Sequence, residues 1–276
     1  MRHDGNRVAL VTGASRGCGK GIALVLGEAG WTVYLTGRSV RGQPTTLNRP
    51  GTIDDTAEQV AARGGTGIAI RCDHADDEQV KAAFDRIRGE QGRLDLLVNN
   101  AWSGYEISPD PSLAFWEIEW RHWDLMFTGG LRAAAFASRL AAPAMIEVKR
   151  GLVVNITWVL DRPHGHAFYE VVKNGTNKLT EQMADDLRPH GVACLALSPG
   201  FMRLERMNLT PEEIAMTESA EFAGRAVTAL ACDDSVLART GQVLTTPELA
   251  REYGFTDTDG KQQSPFWDGH WAGTRD

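Results

Sequence analysis

Short apolar runs alternate with longer amphipathic stretches along most of the chain. The first run, Val8 to Val11, leads straight into the glycine-rich stretch Thr12-Gly13-Ala14-Ser15-Arg16-Gly17-Cys18-Gly19. From Lys20 the pattern turns helical, so the spacing predicts a strand, a tight turn and a helix in succession. Runs at 31–36, 67–71, 94–99, 152–156, 192–197 and 242–245 read as further strands. Helical patterns cover 53–63, 78–88, 116–149 and 168–187, and a shorter helix opens at Thr210-Pro211-Glu212-Glu213. Thr52 is placed to cap the first of these, and Thr210 with Glu213 forms a capping box with proline in the first turn. Gly129-Gly130 and Pro143 are weak points in the long stretch, and 39–51 is a polar loop. Strands alternating with helices predict an α/β fold, a doubly wound parallel sheet with helices on both faces. No repeat or low-complexity segment divides the 276 residues, which suit a single domain over 1–276. Loops at about 201–225 and an extension at about 247–276, with Trp267 and Trp271 near its end, complete it.

Composition narrows the function classes. A net charge of −7 without a Lys/Arg cluster excludes a nucleic-acid footprint. No run approaches membrane-spanning length, and Met1 to Asn6 has no apolar core of a leader. Cys18, Cys72, Cys194 and Cys232 are scattered without metal-ligand spacing. The expectation is reduced thiols, no metal, no membrane partner and a cytoplasmic location. On that expectation the Asn-x-Thr triplets at Asn155, Asn174 and Asn208 are accidental.

Chemistry enters at the glycine turn. Glycines let backbone N–H groups approach a ligand, and the following helix aims its positive end at it, which makes a site for phosphate or pyrophosphate. Tyr169 and Lys173, four apart in a helical stretch, share a face. A tyrosine with its ordinary pKa of about 10 is a poor base at neutral pH, and a neighbouring ammonium lowers that value by favouring the phenolate.

Taken in order, Thr-Gly-x-x-x-Gly-x-Gly from Thr12, Asn99-Asn100-Ala101, Tyr169-x-x-x-Lys173 and Pro199-Gly200 resemble the short-chain dehydrogenase/reductase family over about residues 6–260. Likeness to one branch of it runs through 92–101, Ala114-Phe115-Trp116-Glu117 and 249–254. The resemblance implies a Rossmann-type fold and nicotinamide-dependent chemistry on a carbonyl/alcohol pair. It implies that Tyr169 is the general acid/base and that Lys173 assists it and binds the nicotinamide ribose. It further implies that Gly13, Ser15, Arg16, Gly17, Cys18, Gly19, Asn99, Ala101, Pro199 and Gly200 surround the cofactor, with Asp73 at the adenine. Where an NAD-preferring site places an acid, the second strand ends Thr36-Gly37-Arg38-Ser39. Guanidinium groups bind a 2′-phosphate well, so Arg16 and Arg38 together favour NADP(H) over NAD(H).

The chain also departs from the family pattern. The serine that polarises the substrate carbonyl is matched by Thr157, one position closer to Tyr169 than is usual. An alignment counted three residues on from Asn155 puts Trp158 there instead, without a hydroxyl. The family's active-site asparagine falls at Gly130, and a nicotinamide-facing threonine falls at Leu204. Trp102 replaces the glycine that often completes the Asn-Asn-Ala motif, facing the edge of the site. With Trp158 it is expected to line an aromatic pocket for a bulky hydrophobic or aromatic substrate. Phe115, Trp116, Trp120 and Trp123 lead toward that pocket, with core and subunit packing expected for Trp120 and Trp123. His164 and His166 read as solvated loop residues, a proton shuttle being the alternative. Asp257-Thr258-Asp259-Gly260 reads as a turn. The expected partner is a small-molecule carbonyl or alcohol. The helices of 116–149 and of Tyr169 are expected to join copies into a homodimer or homotetramer. Two other readings stand beside this one: a cofactor-binding sensor or biosynthetic accessory without turnover, and a non-redox enzyme in which Tyr169 moves a proton.

Overall fold

Each apolar run forms a strand, and the strands pair side by side in parallel. The computed structural model describes residues 7–107, 110, 112–159, 166–205, 207, 209–215 and 217–263; His164, Asn208, Trp267 and Trp271 lie outside them. The strands are β1 (Val8–Thr12), β2 (Thr32–Gly37), β3 (Thr66–Arg71), β4 (Leu96–Asn99), β5 (Gly151–Ile156), β6 (Val192–Ser198) and β7 (Val243–Thr245). Their order in the seven-stranded sheet is β3-β2-β1-β4-β5-β6-β7. Register runs Leu10↔Tyr34 on one side of β1 and Leu10↔Leu97 on the other. The order reverses direction between β1 and β4, which opens a crevice at their carboxyl ends. β1, β2, β4 and β6 are buried along their whole length, which explains their unbroken apolar character.

Helices cover both faces: α1 (Gly17–Glu28), α2 (Ile53–Ala62), α3 (Asp77–Gln91), α4 (Trp120–Met126), α5 (Ala133–Glu147), α6 (Ala167–Leu187), α7 (Pro211–Ala215), α8 (Ala220–Cys232) and α9 (Thr246–Tyr253). One core joins alternate residues of β1 and β2 to α1, with Ile22 and Leu26, and to α8, with Val227 and Leu230. The other places Leu10, Leu97 and Val153 against Ile87 of α3, Met145 of α5 and Leu187 of α6. Full burial of such side chains is worth about 1.5–3 kcal/mol each before conformational entropy is subtracted.

The expected caps form. Thr52 accepts from the Asp55 N–H at 3.1 Å, and Thr210 and Glu213 bond reciprocally. The turn at 257–260 is present, closed by Gly260 N–H onto the Asp257 carbonyl at 3.0 Å. Two helices lie where the apolar pattern marked none. α8 is rich in alanine and glycine, and α9 opens a stretch expected to be polar tail, although Thr245 caps it. The long stretch from 116 also differs: α4 begins only at Trp120, and a π-helical segment, Phe127–Arg132, carries Gly129 and Gly130 between α4 and α5. Such π segments inside helices are frequent at functional sites.

Candidate active site

The carboxyl ends of the strands surround a cavity of about 520 Å³. At its centre is the turn between β1 and α1. Gly13 has φ +69°, and a Cβ on it would lie 2.8 Å from the backbone of Ala101, so only glycine fits there. Asn100 locks the turn to β4: its side-chain amide donates to the Thr12 and Gly13 carbonyls at 2.8 and 3.0 Å. Arg16 precedes α1 without a side-chain cap, which leaves the helix's first N–H groups to other partners. The Gly17 N–H donates to both oxygens of Glu205, at 3.0 and 3.1 Å. A carboxylate from the loop after β6 thus sits on the anion-binding end of α1.

Gly13, Ser15, Arg16, Gly17, Cys18, Arg38, Asp73, Ala101, Thr157, Tyr169, Lys173, Pro199 and Gly200 all line the cavity, as do Trp102 and Trp158. Gly19 and Asn99 do not. Gly19 packs under Asn100. The Asn99 amide donates inward, to Ser138 at 2.9 Å and to Asn155 at 2.8 Å, and Asn155 in turn donates to Thr180. This buried chain ties β4, β5 and α6 together.

At the β2–β3 end, Arg38 forms a close ion pair with Glu106 and lies 3.8 Å from Asp73. Arg16 donates to Ser39 and the Gly51 carbonyl at 3.0 Å each and to the Pro50 carbonyl at 3.0 Å, pinning the polar loop; burial holds its pKa below the usual value. Arg49 lines the same end. So does His74, whose Nε2 lies 2.8 Å from the Thr36 hydroxyl. Burial pulls His74 down to about 4, and its Nδ1 has no partner among the described residues.

At the β5–β6 end, Tyr169 and Lys173 stand one turn apart on α6. The Lys173 ammonium lies 5.7 Å from the Tyr169 ring centroid and 4.3 Å from that of Trp102. It donates to the Ile156 carbonyl at 3.3 Å, and burial pulls it down to about 8. Thr157 is buried, and its hydroxyl donates to the Lys173 carbonyl at 3.2 Å, so its one proton is directed at α6. Trp102 lies at the heart of the site and not at its edge, because the turn after β4 folds its ring toward α6. His166 is buried, contrary to the solvated placement expected: its Nδ1 accepts from the Tyr169 N–H at 3.3 Å, capping α6, and its Nε2 lies 3.1 Å from His122 Nδ1. Phe115, Trp116, Trp120 and Trp123 stay out of the cavity lining. Trp120, Trp123 and Phe127 instead stack on an outer face beside Phe168, with Trp120 65% exposed.

Residues 7–213 match the family model described as short chain dehydrogenase. The chain belongs to the short-chain dehydrogenase/reductase family. Human dehydrogenase/reductase SDR family member 1 is 36% identical over 278 residues, covering 92% of this chain and 84% of its own length. The 3-oxoacyl-(acyl-carrier-protein) reductase FabG of Staphylococcus aureus is 30% identical, covering 75% of this chain and 78% of its own. A metagenomic short-chain oxidoreductase solved in complex with NADP superposes with a TM-score of 0.68 at 27% identity, covering 87% of this chain and 95% of that one. Members of the short-chain dehydrogenase/reductase family are oxidoreductases that use nicotinamide cofactors on small molecules. No helix among the described residues is long and apolar enough to cross a membrane.

In this short-chain dehydrogenase/reductase, sequence reading passed over several residues at or beside the cavity, among them Arg49, His74, Glu205 and Glu218. Arg49 and His74 come from segments read as loops. Glu205 lies in a loop without periodicity. Glu218 is buried, accepts from the Gly200 N–H at 2.9 Å, and is pushed up to about 8 by burial, with Asp257 adding to the rise. Only His74, directly after Asp73, carried a positional signal.

Proposed function

We propose that the protein is an NADP(H)-dependent oxidoreductase that interconverts a carbonyl and an alcohol on a bulky hydrophobic or aromatic substrate. The observation that carries this reading is the Tyr169–Lys173 pair, set at one end of a cleft whose other end is an anion-accepting turn flanked by guanidinium groups. The residues present fit a phosphorylated dinucleotide. Gly17 N–H already donates to an anionic group, Arg16, Arg38 and Arg49 line the far end, and His74 offers a buried unpartnered nitrogen beside Asp73.

When bound, the reduced nicotinamide supplies hydride to the carbonyl carbon. Tyr169 gives its proton to the carbonyl oxygen, and in the reverse direction its phenolate takes the proton from the alcohol. The Lys173 ammonium favours that phenolate and would hold the nicotinamide ribose. Thr157 polarises the carbonyl once its hydroxyl turns from the Lys173 carbonyl to the substrate. Arg16 and Arg38 would hold the 2′-phosphate, Arg38 giving up its ion pair with Glu106 to do so. Trp102, Trp158, Met126, Phe201 and Met202 in the lining support a large apolar substrate. The exposed aromatic face on α4 and α6 supports a homodimer or homotetramer, and the free cysteines support a cytoplasmic location.

The test is a titration with NADPH and then NADH, following energy transfer from tryptophan to the reduced nicotinamide, and then a carbonyl panel scored by NADPH consumed. Strong NADPH preference with turnover of aromatic ketones is expected. Better turnover of small aliphatic aldehydes would overturn the substrate reading. The engaged Thr157 hydroxyl favours a second reading, a cofactor-binding protein without turnover, for which NADPH binds but no carbonyl consumes it.

A further inference from the structure

Positions 102 and 130 answer one another behind the catalytic helix. Gly130 faces Trp102 from the π-helical segment, and a Cβ on it would lie 2.7 and 2.8 Å from two ring carbons of the indole. Carbon atoms pack at about 3.5–4.0 Å, so the indole and a side chain at 130 exclude each other. The ring that takes the space makes two contacts on the reactive pair. Its face lies 4.3 Å from the Lys173 ammonium, and it meets the Tyr169 ring edge-on, with centroids 5.6 Å apart at 83°. Its Nε1 is buried without a hydrogen-bond partner among the described residues, so packing and its π face hold it there.

We propose that Trp102 is the positioning residue for Lys173, interlocked with Gly130, filling the space behind the Tyr169–Lys173 pair and holding the ammonium against its π face. This rests on the reading of Tyr169 and Lys173 as the reactive pair. A cation over an indole face within about 6 Å is stabilised roughly two- to thirtyfold, most where water is excluded. The contact matters here because the only hydrogen bond of the ammonium among those described is to the Ile156 carbonyl, at 3.3 Å. The ring also excludes water from Lys173, which opposes its charge. A leucine at 102 keeps that exclusion and removes the π face. The titratable groups packed about Lys173 are Tyr169 on α6 and Cys18 on α1, with Glu218 beyond Cys18.

The experiment uses the full chain without added nucleotide. Lys173 is titrated by NMR of its labelled side chain in the parent, Trp102→Leu and Trp102→Phe, and melting is measured for Gly130→Ala in the parent and in Trp102→Ala. Trp102→Leu is expected to move the Lys173 midpoint down by roughly half to one pH unit, a three- to tenfold weaker hold on its proton, and Trp102→Phe by less. Gly130→Ala is expected to lower the melting temperature in the parent and to leave it nearly unchanged once Trp102 is alanine. A midpoint that stays or rises in Trp102→Leu, or equal effects of Gly130→Ala in both backgrounds, would overturn the proposal. Should Trp102→Leu not fold, Trp102→Phe and the melting cycle decide it. Neither readout depends on turnover, so loss of the reductase reading is seen separately, as NADPH that binds and is never consumed.

Discussion

At the glycine-turn end of the cleft the turn itself is backbone, held by strands paired on both sides, with the Arg16, Arg38 and Arg49 side chains beside it. At the Tyr169 end they are side chains, gathered from the turns after β4 and β5, the π-helical segment and the first turns of α6. The first end tolerates few changes, since Gly13 admits no Cβ beside Ala101. The second is a set of mutual fits, in which Trp102 answers Gly130 and His166 caps the helix that carries Tyr169. A backbone cradle fixes what class of molecule is held. A side-chain cluster decides what is done to it, and can be rebuilt by exchanging partners while the sheet stays the same.

Substitutions at the two ends should therefore separate chemistry from binding. The largest effect is expected at Tyr169→Phe, which keeps the ring packed on Trp102 but removes the proton. Carbonyl reduction should fall by roughly 10²–10⁴ while NADPH affinity, read by energy transfer, stays near the parent value. Turnover within a few-fold of the parent would break the division. Next comes Arg38→Leu. Loss of a charged hydrogen-bond partner should weaken NADPH roughly 10–100-fold and leave NADH nearly unaffected. An equal loss for both nucleotides would show that Arg38 serves the fold through Glu106 and Asp73 instead.

Smaller effects test the elements that join the ends. Glu205→Ala frees the Gly17 N–H, and NADPH should bind roughly 3–10-fold tighter in the same titration; weaker binding would mean that Glu205 helps hold the nucleotide. Glu218 lies under Gly200, and its folded-state pKa of about 8 stands above the ordinary carboxylate value of 4.5. Its proton therefore favours the fold fully below about 4.5, and that contribution is lost as pH rises toward about 8. Glu218→Gln stays neutral and still accepts from Gly200. It should melt a few degrees above the parent at pH 8.5, and the gap should close by pH 4.5. A gap independent of pH would remove the assignment.

How far each end was legible in the sequence follows from the same contrast. β1, the glycine turn and the Tyr169–Lys173 spacing are local patterns, readable because strand burial, tight turns and helical spacing each mark nearby residues. The alternating runs likewise gave the parallel sheet. α8 and α9 escaped because alanine, glycine and short length weaken periodicity. The direction of a side chain is set by distant neighbours, so Trp102 at the centre, Asn99 turned inward and His166 buried against His122 had no local signature. Thr157 could be placed after β5 by position, while the direction of its proton toward Lys173 depends on how close α6 approaches β5.

Glu205 gives the anion site a different thermodynamic character. The loop that carries it is tethered only a few residues from Gly200, so its carboxylate behaves as a built-in ligand at an effective concentration on the order of millimolar. On the proposed function, entry of a pyrophosphate would be an exchange of one anion for another, and measured affinity would report the difference between two complexes. Leu204 and Met207, beside Glu205 in the chain, also line the cavity. On the proposed function, nucleotide occupancy and the shape offered to the second reactant would be two readings of a single exchange at Glu205.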